Sequence, residues 1–321
     1  MADHLAFGLR LRSAHPLPGL AEVGAQGDAD VVIALDAQPP WAEVPEQERY
    51  RSDEREGDEP AVVVSALPTV GAIVLRYAEG IRFHITTDGR QVWADWDAPL
   101  TLADAMTFLV GPVLGYALRR RGLLALHASA AVIDGRAVAF VGPGGAGKST
   151  LVTACAQRGY AVVTDDILVL RETPRGWMTT PAPDQVRLWE DSERLLFGAG
   201  SRLAPLTPTF PKRGLSLAQA GLVSAHEAVP VGALLLFAPR ESIDAPRIEA
   251  VGGGEALLGL VSNSYANYLL DDAERGAELQ AVGRLAAVVP VKRLVPHEDP
   301  GRLDALVQTV SHFVMHIDGR D

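Results

Sequence analysis

Nine consecutive residues, Gly142-Pro-Gly-Gly-Ala-Gly-Lys-Ser-Thr150, hold the densest chemistry in the chain. A glycine, four residues, then Gly147-Lys148-Ser149 is the spacing of a phosphate-binding loop. Gly142, Gly144, Gly145 and Gly147, with the small Ala146 among them, let the backbone turn tightly. Successive N–H groups then point inward and hold phosphate oxygens at the N-terminus of the following helix. Lys148 would reach the β- and γ-phosphates, Ser149 would ligate Mg²⁺, and Thr150 completes the cradle. With this composition the fixed positions would match by chance about 0.002 times per chain. Lysine is also scarce: Lys148, Lys212 and Lys292 are the only three among 29 basic residues. Each is therefore a candidate for work that needs a compact charge and not a planar fork. Sixteen positions beyond Ser149 stand two adjacent carboxylates, Asp165 and Asp166. One could hold Mg²⁺ directly or through water. The other could accept the proton of an incoming hydroxyl, or orient that hydroxyl for in-line attack on a γ-phosphate.

Elements must bring these groups together. Residues 123–133 and 137–141 alternate about Asp134-Gly135, which predicts a hairpin that delivers the chain into the glycine loop. A helix is predicted over 148–158, closed by Gly159, then a strand over 160–164 that ends at the two aspartates. A strand–loop–helix–strand unit of this length predicts that the second strand lies parallel to, and near, the first. Both ends then reach the sheet edge where α/β proteins bind ligands. His127 alternates with Ser129 and Ala131, so one face of the first hairpin strand carries histidine and serine. Further strands are predicted at 231–237 and 291–294, with helices at 255–270, 273–288 and 302–316. Interleaved strands and helices give an α/β fold.

Upstream the texture differs. Short alternating segments at 7–11, 30–35, 61–64, 71–76, 81–86 and 91–96 predict strands, with Asp88-Gly89 as a hairpin turn. The acidic stretch 41–60 reads as a solvated loop. Apolar spacing over 101–120, stopped by Arg119-Arg120-Arg121 and Gly122, predicts a helix. The expected organisation is a smaller β-rich N-terminal region over 1–100 and a phosphate-loop domain over 101–321.

Composition excludes several classes. Twenty-nine basic against 40 acidic residues leave a net charge of −11. That sign repels phosphate backbones and anionic lipid, so neither nucleic acid nor membrane is an expected partner, and a peptide partner would be basic or neutral. Aromatic residues do not interleave with a basic stripe, as single-strand binders require. One cysteine, Cys155, excludes a disulfide framework and reads as a buried thiol in the helix after the loop. No basic start with an apolar run opens the chain, and no apolar stretch approaches the about 18–20 residues that span a bilayer. The expected location is the cytoplasm.

The block from Leu126-His-Ala-Ser to Gly142–Leu151, continuing through Gly159-Tyr-Ala-Val-Val-Thr-Asp-Asp166, resembles the HPr kinase family. The core of that family is related to phosphoenolpyruvate carboxykinase. The layout with a long N-terminal region is similar to HPr-kinase-like proteins that accompany peptide-modification gene clusters. The resemblance implies a P-loop, HPr kinase/PEP carboxykinase-like core. It also implies ATP- and Mg²⁺-dependent phosphorylation of a serine on a small protein or ribosomally made peptide, and it leaves room for a homo-oligomer. It gives Asp165 the role of general base, makes Asp166 a metal partner beside Ser149, and sets His127 near the reacting phosphate. Lys148 completes the implied catalytic set. The family's second signature, Glu-Ile-Arg-Gly-Leu-Gly, is replaced by Pro183-Asp-Gln-Val-Arg-Leu-Trp-Glu190. The expectation therefore does not extend to HPr as acceptor or to the reverse reaction. Arg187 and Lys212 are candidate phosphate clamps, whereas Lys292 reads as strand-edge surface. Three other readings stand beside it, a regulatory ATPase without phosphotransfer, a small-molecule kinase and a scaffold with a vestigial loop.

Overall fold

Alternation over the first hundred residues becomes a sheet. The computed structural model describes residues 1–25, 27–207 and 211–317. Its first strands are β1 (Ala2–Ala6), β2 (Leu9–Ser13), β3 (Ala21–Val23), β4 (Val31–Leu35) and β5 (Gln47–Arg51). A two-residue pair, β6 (Arg55–Glu56) and β7 (Glu59–Pro60), precedes β8 (Val62–Leu67), β9 (Ala72–Tyr77), β10 (Ile81–Thr86) and β11 (Gln91–Trp96). All but β6 and β7 join one sheet in the order β3-β1-β2-β4-β11-β10-β9-β8-β5. Neighbours run antiparallel except β4, which is parallel to both β2 and β11. The period of two sorts the residues: Leu9 and Leu11 are buried, while Arg10 and Arg12 take the other face and pair with Asp3. Asp88-Gly89 closes the β10–β11 hairpin, with Gly89 at φ +67 and the Asp88 carboxylate accepting from the Thr86 hydroxyl and the Arg90 N–H. The acidic stretch read as a loop contains β5, a charged and largely exposed edge strand. Charge on an edge discourages pairing with other chains.

The helix read over 101–120 is broken. Helix α1 (Leu102–Phe108) begins where the Asp104 carboxylate accepts from the Thr101 N–H and hydroxyl. After it, Leu109–Val113 winds wider, with Gly111 outside helical angles, and α2 (Leu114–Arg119) resumes. Pro112 is the cause, because it has no N–H to donate and its ring crowds the preceding turn. Gly122, at φ +70, ends the segment.

A second sheet carries the glycine loop. Strand β12 (Leu124–Ile133) turns through Asp134-Gly135 into β13 (Arg136–Val141), and α3 (Lys148–Gln157) follows the loop. Then come β14 (Val162–Thr164), β15 (Ile167–Thr173), β16 (Gly176–Thr180), β17 (Gln185–Leu188), α4 (Glu190–Phe197) and β18 (Arg213–Ser216). The rest is β19 (Val231–Phe237), β20 (Arg247–Ala250), α5 (Gly253–Ser262), α6 (Asp272–Val288), β21 (Val291–Val295) and α7 (Leu303–Met315). The order is β16-β15-β12-β13-β19-β21-β20, with β14 also on β12; β17 and β18 form their own pair. Strand β12 is antiparallel to both β13 and β14, so β14 shares the direction of β13 one strand removed.

Both faces of this sheet are covered. Val138 and Phe140 of β13 face Leu151, Cys155, Leu306 and Val310, side chains of α3 and α7. Ala137, Ala139 and Val141 face the other way, toward Leu260, Val282 and Leu285 of α5 and α6. The chain is thus a mixed α/β protein. It forms two compact units, Met1–Gly122 with Thr207 and Ala266–Asp271, and Leu123–Leu206 with Pro211–Tyr265 and residues 272–317. The first unit takes in α1 and α2, which the change of texture at residue 101 assigned to the second. Among the described residues no helix is long and apolar enough to cross a membrane.

Candidate functional site

Strand β13 ends at Val141, and six residues separate it from Lys148 at the start of α3. Left-handed angles make the turn: Gly145 has φ +78 and Gly147 has φ +104, where a side chain would be strained. A Cβ on Gly142 would stand 3.0 Å from the Phe237 Cβ. The Lys148 ammonium folds back over the loop, donating to the carbonyls of Gly142 (2.7 Å) and Pro143 (2.8 Å). Burial lowers its pKa to about 8, against the pull of Asp166 and Asp165. The Thr150 hydroxyl meets that of Ser192 on α4 at 2.8 Å.

The aspartates follow β14 and face different partners. Asp165 is buried and fully engaged: its Oδ1 accepts from Ser149 (2.8 Å) and Ser129 (2.6 Å), and its Oδ2 accepts from the Arg187 N–H (2.9 Å). Asp166 sits at φ +76, which turns its carboxylate toward other groups. Its Oδ1 lies 3.1 Å from the His127 Nδ1, and its Oδ2 accepts from the Tyr265 hydroxyl at 3.2 Å and lies 3.6 Å from the Arg187 Nη1. Burial pushes the Asp166 carboxyl up. The hydrogen bond from His127 and the charge of Arg187 more than offset that and hold it well below the usual carboxylate range.

One face of β12 serves both carboxylates. His127 and Ser129 share one face, and they reach Asp166 and Asp165 respectively. The chain after α5 docks on the same strand: the His127 N–H donates to the Asn263 carbonyl, and Leu126 bridges Ser264. That docking delivers Tyr265. The helix read over 255–270 would have placed this tyrosine in a helix interior, but α5 stops at Ser262.

These groups border a recess of about 110 Å³ lined by His127, Gly144, Gly145, Gly147, Lys148, Ser149, Thr150, Asp165 and Asp166, together with Arg187, Trp189, Ser192, Lys212 and Arg240. Gly142 and Ala146 stay out of the lining; Gly142 accepts from Lys148 and the Ala146 N–H donates to Pro143. The segment 183–190 contributes Arg187 and Trp189, and the Lys212 ammonium stands 5.2 Å from the centre of the Trp189 ring. Lys292 borders a separate recess beside α7. Cys155 is buried in α3, where burial pushes its thiol up to about 12. Sequence spacing did not find Tyr265, Trp189, Ser192 or Arg240. For Arg240 a signal existed: it follows β19, the parallel neighbour of β13, and so lies at the edge where the loop sits.

The anionic and hydroxyl oxygens of the recess come from Ser149, Thr150, Ser192, Asp165 and Asp166, and Ser149 is the hydroxyl bonded to Asp165. Such hard donors fit Mg²⁺, which takes one or two carboxylates and completes its shell with water and phosphate oxygens. Among the described residues no three His, Cys, Asp or Glu side chains converge to hold a metal unaided.

No protein-family model matches the chain, and no curated protein matches it. Among solved structures the chain is similar to the Hpr(Ser) kinase/phosphatase from Coxiella burnetii, at 16% identity and a TM-score of 0.31. The match covers 61% of this chain and 93% of that one.

Proposed function

We propose that this protein is an ATP-dependent phosphotransferase that moves the γ-phosphate to a serine of a small protein or peptide in the cytoplasm. One observation carries the reading. The glycine loop, its lysine and serine, and two differently partnered carboxylates border a single recess. The serine acceptor rests on the resemblance of residues 126–166 to the HPr kinase family.

The loop amides and Lys148 would hold the triphosphate, and Mg²⁺, when bound, would neutralise phosphate charge. The geometry favours an exchange of the two aspartates' roles from those the resemblance implies. Asp165 shares a hydrogen bond with Ser149 and already accepts three donors, so it is the carboxylate placed to hold Mg²⁺ with that serine. Asp166, with His127 beside it, is left to meet the acceptor hydroxyl. Asp166 orients that hydroxyl and takes its proton as the serine oxygen bonds the phosphorus and the bond to ADP breaks. A loose phosphoryl-transfer transition state needs positioning more than a strong base. Arg187, between the two carboxylates through its N–H and guanidinium, can meet charge on the transferring phosphate.

Incubation of the purified chain with γ-labelled ATP, Mg²⁺ and basic or neutral seryl peptides tests this. Label on peptide serine is the expected result. Label in free phosphate alone would point to a regulatory ATPase, and label in a metabolite extract but not on peptide to a small-molecule kinase.

A further inference from the structure

Four cations line the recess, and three are engaged. Lys148 is bonded to loop carbonyls, Arg187 pairs with Asp166, and Lys212 lies over Trp189. Arg240 differs. Among the described residues its guanidinium has no hydrogen-bond or ion-pair partner. It is nonetheless placed against the loop, its Nη2 standing 3.4 Å from where a side chain on Gly147 would begin. Its position follows from the sheet, because β19 pairs with β13 in parallel from Val138↔Ala233 to Val141↔Leu236, and the chain beyond β19 runs past the loop.

A second observation fixes which end of the recess it serves. Gly147, Thr150 and Arg240 also line an adjoining recess with Phe237, which His127, Asp165 and Asp166 do not line. Arg240 therefore stands on the Gly147–Thr150 side, and the carboxylates and His127 on the other. A nucleotide with its terminal phosphate at the carboxylates would place its inner phosphates beside Arg240. Guanidinium presents a planar fork that matches oxygens of one or two adjacent phosphates.

We propose that Arg240 binds the non-transferred phosphates, the nucleoside diphosphate part of the nucleotide; this rests on the nucleotide reading above. Those phosphates are present before and after transfer. The contact is therefore uniform binding, which governs affinity for substrate and product alike and leaves the rate of the bound complex unchanged.

Calorimetric titration of the full chain with Mg-ATP, Mg-ADP and AMP tests the assignment in wild type, Arg240→Ala, Arg240→Gln and Arg284→Ala. Arg284 makes a surface ion pair with Glu172 and serves as the control. Loss of a charge-assisted phosphate contact is expected to weaken ATP and ADP alike, by about tenfold to hundredfold, in both Arg240 variants. Arg284→Ala should match wild type. KM for ATP should rise by the same factor with kcat unchanged. Wild-type ADP affinity in both Arg240 variants, or a fall in kcat with ADP binding intact, overturns the assignment alone. If the wild-type chain bound neither Mg-ATP nor Mg-ADP, the nucleotide reading would fall and the assignment with it.

Discussion

Asp165 and Asp166 are neighbours in sequence with divided surroundings, and a left-handed backbone at Asp166 causes the division. Two serine hydroxyls and a main-chain N–H saturate one carboxylate; a histidine, a tyrosine and an arginine surround the other. Substitution by asparagine separates their contributions, since it keeps shape and removes charge. Asp166→Asn should keep Mg-ATP affinity within about threefold and lower phosphate transfer by about a hundredfold or more, the range for removing a positioned acid–base group. Asp165→Asn should instead weaken Mg²⁺-dependent nucleotide binding. Transfer at the wild-type rate by Asp166→Asn, with loss in Asp165→Asn at unchanged affinity, would restore the roles implied by the family resemblance. At this scale the sequence was informative where groups are close along the chain. The loop from Gly142 to Thr150 and the aspartate pair were visible from spacing alone, and the alternation of His127 with Ser129 anticipated that both point one way. Tyr265 was hidden, because nothing local marks where the chain leaves α5 and docks on β12.

Strong periodic elements were legible and their interruptions less so. Strands β10, β11 and β19 occupy the residues that alternation indicated, and α6 and α7 differ from theirs by a residue or two at the ends. The wide turn at Leu109–Val113 escaped notice because apolar spacing continues through it, while Pro112 breaks the hydrogen-bond ladder that spacing does not report. Strands β17 and β18 find each other only across α4, which no local pattern reports, whereas β15 and β16 are adjacent arms of a hairpin that sequence spacing passed over. At the β1–β2 pair the structure makes a pH prediction. Hydrogen bonds from Arg12, opposed by burial and aided by Arg10, hold the Asp3 carboxyl at about 2 against an ordinary 3.8. A carboxyl with a depressed folded-state pKa adds stability that is complete above pH 3.8 and lost as pH falls toward 2. The urea midpoint of the first unit should therefore fall as pH drops through that window in wild type, and Asp3→Asn should flatten the dependence. An unchanged slope in the variant would mean that Asp3 gains nothing from its arginines.

Across the whole molecule, two compact units with separate sheets set the expectation for ligand effects. The recess belongs to the second unit. Nucleotide at about 100 times its dissociation constant should add about 2.7 kcal/mol to whatever unfolds with the site. In calorimetry the transition carrying the second sheet should move up in temperature while that of the nine-stranded sheet stays in place. A single transition that moves as one would show that the units unfold together.

Strand β12 has a consequence at this scale. Its ten residues pair with β13, β14 and β15, bridge the segment that carries Tyr265, and supply both His127 and Ser129. A slip of one position would turn the histidine and the serine to the opposite face together and break both of their links to the carboxylates at once. The links of His127 and Ser129 to the two carboxylates are thus keyed to the register of one strand, and are made or lost together.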